Sequence, residues 1–159
     1  MKLPYVIAIL CAALVANTSP VPEPEANVLG RRDDGVECGP GKGVWVPGLM
    51  FLDMAASFCT AAEGSDISDG YMYSDTFLVE LNTQGSEEKG PAGKIIFAIR
   101  NDGERPAYHV TDWSTKCYDY LKVFMDNECK GTRGDTKGGI NTIGNIKYEA
   151  TIKEGDVWT

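Results

Sequence analysis

A single histidine, His109, stands in this chain of 159 residues. With Glu80 and Arg100 it supplies the residue types of a small ribonuclease: a carboxylate and a histidine to move protons, and an arginine to hold the phosphate. The stretches carrying Glu80 and Arg100 both look like strands, so the three would meet across a sheet. A plainer reading of the same residues is structural. In that reading His109 is a half-buried strand residue near a turn, and Glu80 pairs with Arg100 as opposite charges on neighbouring strands often do. One histidine leaves most nucleophiles without a base, so no catalytic residue is assigned and no enzyme is expected.

Asp66, Asp69 and Asp75 flank Gly70, and hard cations want several oxygens close together. Their spacing departs from the EF-hand loop, and a solvated acidic turn between helix and strand is expected, with no metal and no cofactor. Gly134-Asp135-Thr136-Lys137-Gly138-Gly139 has the composition of a phosphate loop. It follows a helical pattern and precedes a strand, the reverse of what phosphate binding at a helix N-terminus needs, and reads as a flexible loop. Arg133-Gly134-Asp135 spells an adhesion tripeptide of the kind that arises by chance. Tryptophan offers large contact area at low entropic cost. Trp113 is expected to start a helix core, while Trp45 and Trp158 are weak candidates for contact with a glycan or partner protein.

The remaining chemistry is that of cysteine, and its context is set by the N-terminus. Met1-Lys2 leads into an apolar run, Val6 to Ala16, that ends in small residues, the layout of an export signal over residues 1–16. The run is shorter than the roughly 20 apolar residues of a membrane span, so no stable membrane anchor is expected. Residues 17–32, with Pro20, Pro22, Pro24, Glu23 and Glu25, lack the apolar content to repay ordering and read as a disordered pro-segment. It ends in Arg31-Arg32, a dibasic site suited to a kexin-type protease, and leaves a single domain of residues 33–159.

Removing Lys2, Arg31 and Arg32 together with Glu23 and Glu25 leaves 12 basic against 21 acidic residues. A net charge of −9 repels polyanions, and no basic stripe is visible, so nucleic acid is not an expected partner. Cys11 departs with the signal. Cys38, Cys59, Cys117 and Cys129 remain, an even number on an oxidising route with no C-x-x-C pair, which predicts two disulfides in any of three connectivities.

Those residues must be positioned by regular elements. Phe51, Ala55, Phe58, Cys59 and Ala62 recur at helical spacing, predicting a helix from Leu49 to Ala62 that stops at Gly64. Trp113, Cys117, Tyr120, Leu121 and Phe124 repeat the template, with Lys116, Asp119, Lys122 and Asp126 toward water. Each stripe carries one cysteine. Two helices side by side would bring Cys59 to Cys117 and leave Cys38 for Cys129; this pairing is favoured, with the other two open.

Strand patterns cover Gly43 to Val46, Thr76 to Thr83, Lys94 to Arg100 and Asn145 to Lys153. The last alternates most clearly, with Ile146, Tyr148, Ala150 and Ile152 on one face. Tyr108-His109-Val110 is expected to extend the third strand after a turn at Asn101-Asp102-Gly103, and residues 84–91 to form a mobile surface loop. The order β-α-β-β-α-β predicts an α+β, ferredoxin-like two-layer sandwich, with two helices packed on one face of a four-stranded antiparallel sheet.

This layout, with a dibasic site and a cysteine in each helix, resembles the killer-toxin-like fungal effectors, named after virus-encoded toxins of corn smut. The resemblance covers residues 36 to 154 as layout rather than identity. Its most specific part is Cys117-Tyr118-Asp119-Tyr120 through Cys129, then Thr136-Lys137-Gly138-Gly139 and the final strand. The resemblance implies a secreted, extracellular, non-enzymatic protein, a virulence effector or an antimicrobial or killer-type toxin, acting on a host or competitor protein or glycan in the host apoplast. It carries no transferable site residues. A monomer is expected.

Overall fold

A computed structural model describes residues 35–40, 43–83, 89–103, 106–110, 116–126 and 129–155. The expected export signal, pro-segment, Arg31-Arg32 site, Trp113, Trp158 and residues 84–88 lie outside the described residues.

Helix α1, Gly48–Ala62, forms where the apolar spacing predicts it, and buries Phe51, Ala55, Phe58, Cys59 and Ala62. It ends at Glu63, after which Gly64 takes φ +78° and donates its N–H to the Val110 carbonyl. A positive φ costs glycine nothing and other residues about 1–2 kcal/mol. Helix α2 is much shorter, Tyr118–Lys122, and tightens into a 3-10 turn over Val123–Met125. Leu121 and Phe124 are fully buried on its inner side.

The rest is mainly strand: β1 (Gly35–Cys38), β2 (Val44–Pro47), β3 (Asp66–Ile67), β4 (Met72–Thr83), β5 (Lys89–Asn101), β6 (Tyr108–His109), β7 (Asp135–Thr136), β8 (Gly139–Ile143) and β9 (Ile146–Glu154). Seven of them form one antiparallel sheet in the order β1-β8-β9-β5-β4-β2-β7, curled into a half-barrel, and β3 pairs with β6 as a separate ribbon.

This corrects the ferredoxin-like sandwich. A β-α-β unit of that fold sets the strands flanking its helix parallel, whereas β2 and β4, on either side of α1, pair antiparallel with Val44 opposite Thr83. The four expected strands thus lie side by side in the sheet as β2, β4, β5 and β9, each antiparallel to the next. Three further strands extend that sheet. Residues 139–143 form β8 in a hairpin with β9, Ile143 opposite Ile146 across Gly144-Asn145. Lys89–Pro91, expected in a loop, begin β5, and Tyr108-His109 pair with Ile67 and Asp66 instead of extending β5.

The core lies on the concave face. Phe97 of β5 meets Phe51, Phe58 and Phe77 at ring separations of 5.4, 5.5 and 5.7 Å. Tyr148 of β9 packs against Tyr120 at 4.8 Å and shares a 2.6 Å hydroxyl–hydroxyl hydrogen bond with Tyr108. Buried Asn101 is satisfied: its side-chain N–H donates to Ile67 and its oxygen accepts from Gly103.

Two disulfides fasten this frame. Cys59–Cys117 joins α1 to the residue preceding α2, and Cys38–Cys129 joins the end of β1 to the approach to β7. They close chain segments of 58 and 91 residues respectively, which on loop-entropy grounds stabilises by about 4 kcal/mol each. Such bonds persist in oxidising compartments and mark an extracellular or secreted protein.

Candidate functional site

Residues 135–143 determine where the surface opens. Thr136 pairs with Val46 of β2, while Gly139 pairs with Ala150 of β9, so one run of chain leaves one strand and joins another. The switch occurs at Lys137-Gly138. There the Thr136 hydroxyl donates to the Phe124 carbonyl at 2.9 Å and accepts the Gly138 N–H at 3.1 Å. Gly138 has φ +65°, and a Cβ there would lie 2.1 Å from the Ala150 carbonyl oxygen. The sequence read this stretch as a flexible loop; it is a bend that the hydroxyl and two glycines fix.

Below the bend the two flanking strands lose their partners. In an antiparallel ladder the N–H and C=O of successive residues point alternately to either side. Gly155 donates its N–H to Ala92 of β5; Ile152 and Glu154 therefore point away from β5, to the side on which β8 has already ended at Gly139 opposite Ala150. On the other wall, Lys137 donates its N–H to Cys129 and Gly131 donates to Asp135. Thr136 therefore points to Val46, and Val44, two residues earlier, also points to the β7 side. No backbone group among the described residues pairs with Val44 or Ile152 on these sides.

Between them lies a groove of about 530 Å³. Its walls are Val44, Ala150, Ile152 and the Cys38-Gly39-Pro40 turn, with Glu37 and Lys137 contributing opposite charges. It is an apolar slot with strand backbone on two sides that pairs with no other described residue, and one disulfide in its wall. Sequence reasoning missed it, since Val44 and Ile152 read only as strand residues and Cys38 only as a disulfide partner.

A second cluster surrounds His109. Its Nδ1 lies 2.6 Å from Asp66 Oδ1, and both side chains are more than half exposed. Asp66 also lines a smaller cleft of about 230 Å³ with Ser65, Ser68 and Tyr71. The carboxylate orients the ring through Nδ1. Glu80 and Arg100 are elsewhere: Glu80 sits opposite Ala92 and Arg100 opposite Met72, eight positions apart on the β4–β5 hairpin, or about 26 Å at the rise of a strand. The ribonuclease triad and the Glu80–Arg100 pair are both overturned. Arg100 pairs instead with Glu149 at 3.4 Å, and His109 is exposed rather than half-buried.

The other expected sites resolve differently. Trp45 is 4% exposed and so offers no contact platform; Lys137 Nζ lies 5.9 Å from its ring centre. Trp45 Nε1 and Asp135 Oδ1 are buried with no hydrogen-bond partner among the described residues. They do not form one site: a Cβ on Gly131 would touch Asp135 Oδ1 and the Cζ3 corner of the indole, the end of the ring system far from Nε1. Asp75 accepts the Thr76 N–H, and Asp66 serves His109. Among the described residues no group of three His, Cys, Asp or Glu is placed to hold a metal, and no helix is long and apolar enough to cross a membrane. No protein-family model, curated protein or solved structure matches the chain.

Proposed function

We propose that this chain is a secreted fungal effector that acts outside the cell, in the host apoplast, by binding a host or competitor protein or glycan rather than by catalysis. The observation that carries this is the groove between Val44 and Ile152, an apolar slot held in shape by the Cys38–Cys129 disulfide in its wall. Grooves with a few placed polar groups are the usual form of a binding site. Two disulfides in a small domain resist unfolding, and with it proteolysis, in an extracellular setting. The separation of Glu80 from Arg100 breaks up the catalytic constellation of Glu80, Arg100 and His109 that the sequence offered.

The test compares the wild-type protein with Ile152→Glu, which places a charge in the groove at a half-buried strand position. Each is applied to host tissue and to competing microbes, and a deletion strain of the producer is complemented with each. Loss of the effect in Ile152→Glu, with the disulfides and melting transition retained, supports binding through the groove. An undiminished effect overturns it.

A further inference from the structure

A cationic pair stands beside the groove. On the convex face of β5 and β9, two couples of like charge lie directly opposite each other: Arg100 with Lys147, and Lys94 with Lys153. Like charges so placed repel, their Cβ atoms being only about 5 Å apart. The first couple is neutralised, Arg100 by Glu149 and Lys147 by Asp102. The second is not: among the described residues no carboxylate pairs with Lys94 or Lys153. Lys153 is exposed and Lys94 half-buried, and Lys153 directly follows Ile152 of the groove wall.

We infer that the groove takes an extended peptide of a partner protein, added as a strand to the free side of β9, in which an acidic residue next to an apolar one meets Lys153 and Lys94. This deepens the binding reading proposed above and rests on it.

The backbone selects a peptide. Ile152 and Glu154 direct N–H and C=O groups into the slot beyond the end of β8, and Val44 directs its own from β2. A strand answers both donors and acceptors at the spacing of the ladder. An acyl chain would fill the same apolar walls but cover those groups unpaired, at about 1–3 kcal/mol each.

The side chains select its sequence. Successive residues of a strand face opposite sides of the sheet, so a peptide residue opposite Ile152 turns toward the face of Ala150 and Ile152, into the apolar wall. The next residue, opposite Lys153, turns to the convex face, about 5 Å from Lys153, where a carboxylate relieves the repulsion between the two lysines. Register thus sets the order of types: apolar opposite Ile152, Asp or Glu opposite Lys153. Glu154, facing the same side as Ile152, disfavours a second acid in the position after that. The chain as a whole is acidic, but charges beyond a screening length of about 8 Å act weakly at physiological salt, and the lysine pair governs locally.

The test presents the secreted protein, and beside it Lys94→Glu/Lys153→Glu, to a displayed library of random short peptides. On the wild type the expected enrichment is of Asp or Glu next to an apolar residue; on the reversed pair it is of Lys or Arg at that position. The most enriched wild-type peptide, synthesised and titrated, should bind the wild type at least about tenfold more tightly than the reversed pair. On the wild type alone, N-methylation of its alternate amides should weaken binding at least about tenfold in one of the two registers, since it blocks a ladder and leaves the side chains; this arm stands even where the reversed pair alters folding. Absence of enrichment, the same sequences on both proteins, or binding indifferent to N-methylation in both registers each overturns the inference. Ile152→Glu separates that failure from failure of the binding proposal: where it abolishes the biological effect, the groove remains the site and its ligand is not an extended acidic peptide, and where it leaves the effect undiminished, both fall.

Discussion

Gly138 lies so close to the Ala150 carbonyl that a single added carbon would sit 2.1 Å from its oxygen. This contact lets residues 135–143 leave β2 and join β9, and so leaves the slot beside them. Gly138→Ala is expected to cost about 3 kcal/mol, combining left-handed backbone strain with the clash. Gly134 has a similar φ, +78°, but open space around its Cβ position, so Gly134→Ala should cost only about 1 kcal/mol. Urea unfolding of the two variants checks the difference; equal losses would mean that the close approach at Gly138 is unimportant.

Phe97 touches three aromatic rings from α1 and β4 and is fully buried. Phe97→Ala should destabilise by about 3–5 kcal/mol, the range for a large core residue reduced to a methyl. Leu49, exposed at 82% on the same helix that supplies Phe51 and Phe58, serves as the control: Leu49→Ala should shift the midpoint by less than about 0.5 kcal/mol.

Intact mass of the secreted protein, before and after reduction with alkylation, should reveal four thiols on reduction and none before. Cleavage after Arg32 gives a mass starting at Asp33. Peptide mapping should join Cys38 to Cys129 and Cys59 to Cys117. Replacing Cys59 and Cys117 by serine should cost about 2–4 kcal/mol, read by chemical unfolding. Free thiols in the native protein would contradict both bonds.

Burial, followed by the hydrogen bond to Tyr108, pushes the Tyr148 hydroxyl well above the ordinary tyrosine range. In the unfolded chain it ionises near pH 10 while the folded protein keeps its proton. The contribution to stability is therefore complete below that pH and is lost as pH rises beyond it. Unfolding free energy should fall between pH 9 and 11, and the fall should be shallower in Tyr148→Phe. The same variant should lose about 1 kcal/mol at pH 7 through the missing hydroxyl pair. An identical pH slope in both proteins would exclude Tyr148 as the source.

The sequence by itself determined the elements whose periodicity is set locally. The spacing of Phe51, Ala55, Phe58, Cys59 and Ala62 marks one face of α1, and alternation along Ile146 to Ala150 marks the buried face of β9, because one side chain in each repeat must leave water. The Ile143-Gly144-Asn145-Ile146 turn also carried the signal for the β8–β9 hairpin, a two-residue Gly-Asn loop between apolar residues, masked by the glycine-rich run before it. Strand order, the burial of Trp45, the distance between Glu80 and Arg100 and the choice among three disulfide pairings were decided only by the tertiary structure. So was the groove, whose walls come from β1, β2, β8 and β9. Local pattern fixes which face of a strand is apolar, but pairing depends on contacts between residues far apart in the chain. A slot left by two unpaired edges has no sequence pattern of its own.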